Sequence, residues 1–274
     1  MPLYFMWYIY DLKNSARGSY PWKWWKECRE WKYLAEYFPL KLIKTSDLPP
    51  NKNYIICSHP HGVLSIASTD KFPGIEPIPL IMSQHFYFPL RREIFMLTGG
   101  VDSSAESLEY LLANPGKNRA VVIAVGGTTE ILDSQPDCYD LNILSRRGFC
   151  KYALKHGADL VPMYNFGENA LFEQFPNPKG SLVRNFQLKI KSIFGFVIPM
   201  FKCRHAFDLS LGIMPHRRPV TSVVGEPIRV DKIDEPSKNQ IDSLHSTYCN
   251  ALYELFENHK SNYGIPSHVH LNFY

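Results

Sequence analysis

Tyr54-Ile55-Ile56-Cys57-Ser58-His59-Pro60-His61-Gly62 is an apolar run that ends in a stiff polar turn. Tyr54 to Cys57 predicts a short strand buried on both faces, since a run of apolar residues bounded by turn residues leaves no solvent side. The same grammar recurs downstream. Arg119 to Val125 runs into Gly126-Gly127-Thr128-Thr129-Glu130, Asp159 to Met163 into Asn165-Phe166-Gly167-Glu168-Asn169, and Val220 to Val224 into Gly225-Glu226-Pro227. Helical patterns lie between them. Ser103 and Glu106 have capping-box spacing ahead of Leu108, Leu111 and Leu112, and Asn114-Pro115-Gly116 closes that segment. Arg146 to His156 ends at Gly157, and Ser237 with Gln240 caps a last helix whose Ile241, Leu244, Tyr248, Leu252, Leu255 and Phe256 share a face. Strands alternating with helices predict an α/β fold, a mixed sheet flanked by helices with its functional groups at strand ends.

Charge divides the 274 residues in two. Residues 1–44 hold eight Lys/Arg against four Asp/Glu, the whole formal net charge of +4, and all five tryptophans, Trp7, Trp22, Trp24, Trp25 and Trp31. Residues 45–274 balance at 22 against 22. We therefore expect a basic aromatic membrane-interface segment at 1–44 and a neutral domain at 45–274, because Trp and Tyr beside cations settle at headgroup depth. Pro21 to Phe38 reads as one amphipathic helix with Trp24, Cys28, Trp31, Ala35 and Phe38 on a stripe; docking on the core and lying on a membrane are both open for it. Met1 to Tyr10 and Ile193 to Phe201 are too short to cross a bilayer core of about 30 Å. The six cysteines have no CxxC pair and read as reduced thiols. So small a net charge is a poor footprint for nucleic acid.

His59-Pro60-His61-Gly62 is the densest chemical constellation. In an extended backbone the two imidazoles face one site, Pro60 stiffens the link and Gly62 permits close backbone approach. An imidazole, with an unperturbed pKa of about 6.5, suits proton removal from a hydroxyl. Packing and metal ligation are the competing readings of the pair, although no Asp follows at the spacing of a zinc His-x-His-x-Asp-His set. Glu130 is placed to orient a histidine, and Gly126 and Gly127 offer N–H groups to an oxyanion or form a plain turn. Arg146 and Arg147 open a helix where the dipole disfavours cations, a conflict that a bound phosphate would relieve. Asn165, Glu168 and Asn169 follow a strand and are candidate substrate contacts; Glu168 binds a hydroxyl or caps its loop.

Taken in order, Tyr37-Phe38-Pro39, the His59–Gly62 tetrapeptide, Val125-Gly126-Gly127-x-x-Glu130, Arg147-Gly148-Phe149, Leu160-Val161-Pro162 with Phe166-Gly167-Glu168-Asn169, and Val224-Gly225-Glu226-Pro227 resemble the diacylglycerol acyltransferase family with an HPHG motif, which includes monoacylglycerol acyltransferases and wax synthases. The resemblance implies a fold related to the glycerol-phosphate acyltransferases. It also implies transfer of a fatty acyl group from acyl-CoA to a lipid hydroxyl, diacylglycerol giving triacylglycerol in the first instance, with monoacylglycerol or a fatty alcohol as the alternative acceptor. Its setting is the cytosolic face of the endoplasmic reticulum membrane or the lipid droplet, with no cofactor and no metal. The His-x4-Asp motif of the glycerol-phosphate enzymes is not met, since Leu64 and Ile66 stand where the Asp would be. Members usually carry a hydrophobic hairpin ahead of the position of Tyr4, so we expect either an anchor absent from this chain or peripheral binding through the aromatic segment.

These readings combine into a mechanism in which His61, assisted by His59 or oriented by Glu130, deprotonates the acceptor. Gly62, Gly126 or Gly127 supply N–H groups to the oxyanion, and Arg146 and Arg147 hold CoA phosphates. The rivals are a metal-assisted hydrolase ligated by His59 and His61 and a non-catalytic lipid-binding protein.

Overall fold

The computed structural model describes residues 2–61, 72–113, 118–202 and 215–274. Gly62 and the expected turn at Asn114–Gly116 lie outside the described residues. The chain opens with helices α1 (Pro2–Asp11), α2 (Lys23–Lys26) and α3 (Arg29–Tyr37), then strands β1 (Leu40–Lys44), β2 (Tyr54–His59) and β3 (Glu76–Ile81). Helix α4 (Arg91–Leu97), β4 (Val101–Asp102), α5 (Ala105–Ala113), β5 (Arg119–Ala124) and α6 (Gly127–Asp133) follow. Then come β6 (Asp140–Leu141), α7 (Gly148–His156), β7 (Asp159–Phe166), β8 (Glu173–Gln174), α8 (Leu182–Phe194), β9 (Phe201–Lys202), β10 (Val220–Val224), α9 (Lys238–His259) and β11 (Asn272–Phe273).

Seven strands form the main sheet in the order β1-β10-β7-β2-β5-β3-β4. All neighbours are parallel except β10 and β7, so the sheet is mixed. Its middle follows from the apolar runs. On β2, Ile55 and Cys57 face a core built with α5, α7 and α9, while Tyr54 and Ile56 face a second core with Leu42, Leu48 and Ile75. With both faces covered, alternation disappears and the strand reads as continuous apolar sequence.

Four features depart from the expected elements. Pro21 to Phe38 is two helices, not one: Cys28 is extended (ψ 141°), and the Trp31 indole N–H donates to the Trp25 carbonyl at 2.7 Å, satisfying a helix-end acceptor that a continuous helix would have used. Strand β7 runs on to Phe166, carrying Asn165 inside the sheet. Strand β3 holds Pro77 and Pro79, which argue against a strand in sequence. The Glu76 N–H bonds Asn118 across to β5, and Ile81 accepts from Ser103 on the other side. Residues 77 and 79 therefore turn their missing N–H groups to the edge that two-residue β4 leaves uncovered. The cap of α5 is Ser104, whose Oγ accepts the Ser107 N–H at 3.3 Å, one residue beyond the expected Ser103.

Strand β1, drawn from residues 1–44, is the edge strand beside β10. Arg92 on α4 is fully buried and pairs with the Asp11 carboxylate, fastening α1 to the body. No helix among the described residues is long and apolar enough to cross a membrane.

Candidate active site

Residue parity on β2 decides what the turn can reach. His59 continues the Ile55–Cys57 face, is fully buried, and shares a 3.0 Å hydrogen bond from Nε2 with the Tyr248 hydroxyl of α9. Tyr248 also donates to the Cys57 carbonyl at 3.3 Å and lies edge-on to Phe149 of α7, 4.9 Å between ring centres. Among the described residues the His59 Nδ1 has no hydrogen-bond partner. Burial, and secondarily the neighbouring His61, push His59 down to about 3, so this imidazole stays neutral. His61 stands two residues beyond the strand end and is half-buried.

Glu130 reaches the turn through its backbone. It is buried in the first turn of α6; Oε1 accepts the His61 main-chain N–H at 2.6 Å and Oε2 accepts that of Asn142 at 3.1 Å. Burial lifts its carboxyl to about 7, with the two N–H donors and Arg146 pulling the other way. Gly126 is required by this carboxylate: a Cβ there would sit 1.7 Å from Oε2. Gly127 has φ +65°, and a Cβ on it would lie 3.1 Å from the Arg146 guanidinium, which donates from Nη2 to the Gly126 carbonyl at 3.4 Å.

The two adjacent arginines part company. Arg146 stays with the glycines and Glu130, its Nε buried and without a hydrogen-bond partner among the described residues. Arg147 caps α7, pairs with Asp242 of α9 at 2.5 Å and donates to the Leu144 carbonyl at 2.6 Å. Both therefore precede the helix they were expected to open. Arg147→Ala is expected to lower stability by less than about 1 kcal/mol, as an exposed pair does; urea unfolding checks this.

Asn165 lies on the sheet face opposite His59, where Nδ2 donates to Ser58 Oγ at 2.8 Å and Oδ1 accepts from Ser222 Oγ at 2.7 Å, joining β2, β7 and β10. Asn169 accepts from Ser134 at 2.8 Å and donates to the Cys138 carbonyl at 2.9 Å, closing the loop after β7. Glu168 is buried in the same loop. The sheet edge thus gathers His59, His61, Glu130, Gly126, Gly127 and Arg146, and sets Asn165 and Arg147 apart. Sequence reasoning missed Asn142, and read Tyr248 only as a core residue of an apolar stripe. Among the described residues no group of three or more His, Cys, Asp or Glu is gathered as a metal site.

A model of the diacylglycerol acyltransferase family matches residues 1–274. The chain is 41% identical over 276 residues to a Homo sapiens protein named 2-acylglycerol O-acyltransferase 1, covering 97% of this chain and 82% of that one. It is 40% identical over 275 residues to a Danio rerio protein named diacylglycerol O-acyltransferase 2, covering 96% and 76%. A crystal structure of a 1-acyl-sn-glycerophosphate acyltransferase from Thermotoga maritima aligns over 90% of this chain and 81% of that one, with TM-score 0.44 and 15% identity, a likeness too distant to bear on residue roles.

Proposed function

The chain belongs to the diacylglycerol acyltransferase family and is an acyltransferase; from that premise we propose that it carries a fatty acyl group from acyl-CoA to the free hydroxyl of an acylglycerol, with His61 as general base. Diacylglycerol is the acceptor we put first and monoacylglycerol the second; relatives named for each are almost equally similar to this chain, so the acceptor panel below decides between them. What carries the reading is the whole-chain family match together with a His59–His61 strand end whose His61 N–H is held by a buried carboxylate.

In the proposed reaction the His61 imidazole takes the acceptor hydroxyl proton as the oxygen attacks the thioester carbonyl. N–H groups at Gly126 and Gly127 stabilise the oxyanion, and collapse expels the CoA thiolate, which recovers the proton from His61. His59, neutral and bonded to Tyr248, supports the turn and takes no proton. Glu130 fixes the His61 backbone, and Arg146 is the cation for a donor phosphate. Exposed Trp22 and Trp24 support contact of the front end with the cytosolic face of the endoplasmic reticulum or a lipid droplet.

Membranes containing the protein, given labelled acyl-CoA and a panel of diacylglycerol, monoacylglycerol and fatty alcohol, are expected to form triacylglycerol fastest. Faster labelling of diacylglycerol selects the second acceptor. Absence of transfer to every acceptor overturns the reading.

A further inference from the structure

Helix α8 is built inside out. Its buried residues are Arg184 and Gln187, which share one face with Lys191 by their spacing. That polar face is turned inward: Arg184 Nη2 donates to Asp133 of α6 at 2.6 Å, Lys191 donates to Thr129 of α6, and Gln187 donates to the Ile198 carbonyl at 2.7 Å. The outer face carries Leu182 (89% exposed), Val183, Phe186 (64%), Ile193 (64%) and Phe194. A helix at a water-facing surface has the opposite arrangement, apolar stripe inward and polar face out.

The apolar face does not stop at α8. Gly195, just past its end, abuts Gln84, since a Cβ there would lie 2.2 Å from the Gln84 amide. Tyr87, Phe88 and Leu90 follow, all exposed. The Tyr8 hydroxyl of α1 donates to the Tyr87 carbonyl at 3.1 Å, and the Leu90 N–H donates to the Tyr4 hydroxyl at 3.2 Å. Helix α1 in turn exposes Leu3, Met6 and Ile9. Three segments far apart in sequence thus make one apolar belt, larger than scattered surface residues would leave.

Charge selects the occupant. Residues 174–207 contain six Lys/Arg and no Asp or Glu, and Lys189 is exposed on α8 itself, within one turn of Phe186 and Ile193. An apolar face edged by cations fits a bilayer with anionic headgroups, apolar side chains in the acyl boundary and lysines at the phosphates. A second copy packed two-fold on this face would set the same lysines against each other. We propose that α8 is a membrane-contact element additional to residues 1–44, joined to α1 through the apolar belt, and that it lies along an anionic phospholipid surface. Its inner face holds α6, the helix of Glu130, so the catalytic edge stands one helix away from lipid.

The test is flotation of the full chain with vesicles of phosphatidylcholine alone and of phosphatidylcholine with phosphatidylserine. Phe186→Glu combined with Ile193→Glu is expected to lower the vesicle-bound fraction about tenfold. Lys189→Glu is expected to lower it about fivefold, and only on the phosphatidylserine vesicles. Tyr253→Glu, on α9, serves as the exposed apolar control and should float like wild type. An Ile193→Cys chain labelled with an environment-sensitive dye gives a readout that does not depend on the double variant folding, and its emission should shift blue on vesicle addition. Unchanged flotation of a folded double variant, or a dye that does not respond to vesicles, overturns the proposal. A wild-type dimer broken by the same substitutions, with no response to vesicles, overturns it in favour of a second copy of the chain.

Discussion

His61→Gln is expected to slow acyl transfer about a hundred- to ten-thousand-fold at saturating substrate, the range removed with a general base, while the acyl-CoA KM changes little. The carboxamide nearly matches the imidazole in size and keeps a polar end in the turn, but it cannot accept a proton. His59→Gln separates the two histidines. It replaces a buried ring that is bonded to Tyr248 and held neutral, so its main effect should be on unfolding, by about 1 to 3 kcal/mol for a disrupted buried hydrogen bond. Single-turnover rates and urea unfolding of both variants check the assignment. A His61→Gln enzyme with wild-type kcat would remove His61 as the base.

Glu130→Gln and Gly126→Ala should each lower kcat about ten- to a hundred-fold, the rate equivalent of losing a charge-assisted hydrogen bond of about 1.5 to 3 kcal/mol. The Glu130 carboxylate accepts two main-chain N–H groups, from His61 and from Asn142. A carboxamide offers one oxygen, so its NH2 meets one of those donors head-on. Alanine at 126 acts from the other side, by placing a methyl where Oε2 now sits. Glu130 also gives stability a pH dependence with a definite sign. Burial raises its carboxyl from 4.5 to about 7 in the folded chain, so the fold favours the protonated form. That contribution is whole below pH 4.5, the unfolded value, and is lost as pH rises through about 7. The wild type should therefore lose up to about 3 kcal/mol relative to Glu130→Gln across that window. Urea unfolding at several pH values measures it, and a constant difference between the two proteins would contradict the buried carboxyl.

The residues that sequence made legible are those whose surroundings are uniform. Strands β2, β5 and β10 sit between two apolar layers, so their composition alone marks them, and Ser237 with Gln240 forms the expected capping box on α9. What sequence left hidden depends on direction. Arg146 and Arg147 are chemically the same, and only the approach of Asp242 on α9 separates them. Glu130 is expected to orient a histidine, and its Oε1 accepts the His61 main-chain N–H; spacing does not say that the backbone is where it takes hold. Asn165 follows the apolar run of β7 and looks like loop until Ser58 and Ser222 are seen to satisfy it inside the sheet. The periodicity of an amphipathic helix, as in α8, says that one face is apolar but not which face turns inward.

The pairing of β1 with β10 joins residues 40–44 to residues 220–224, and the His59–Tyr248 bond spans 189 residues. Both have a consequence for synthesis. The chain leaves the ribosome from its N-terminus, so the tryptophan-rich front end and the HPHG turn emerge while the strand and helix that complete them are still untranslated. The nascent polypeptide therefore meets its surroundings with an edge strand unpaired and His59 unsupported, and the bond between His59 and Tyr248 can form only after α9 has been delivered.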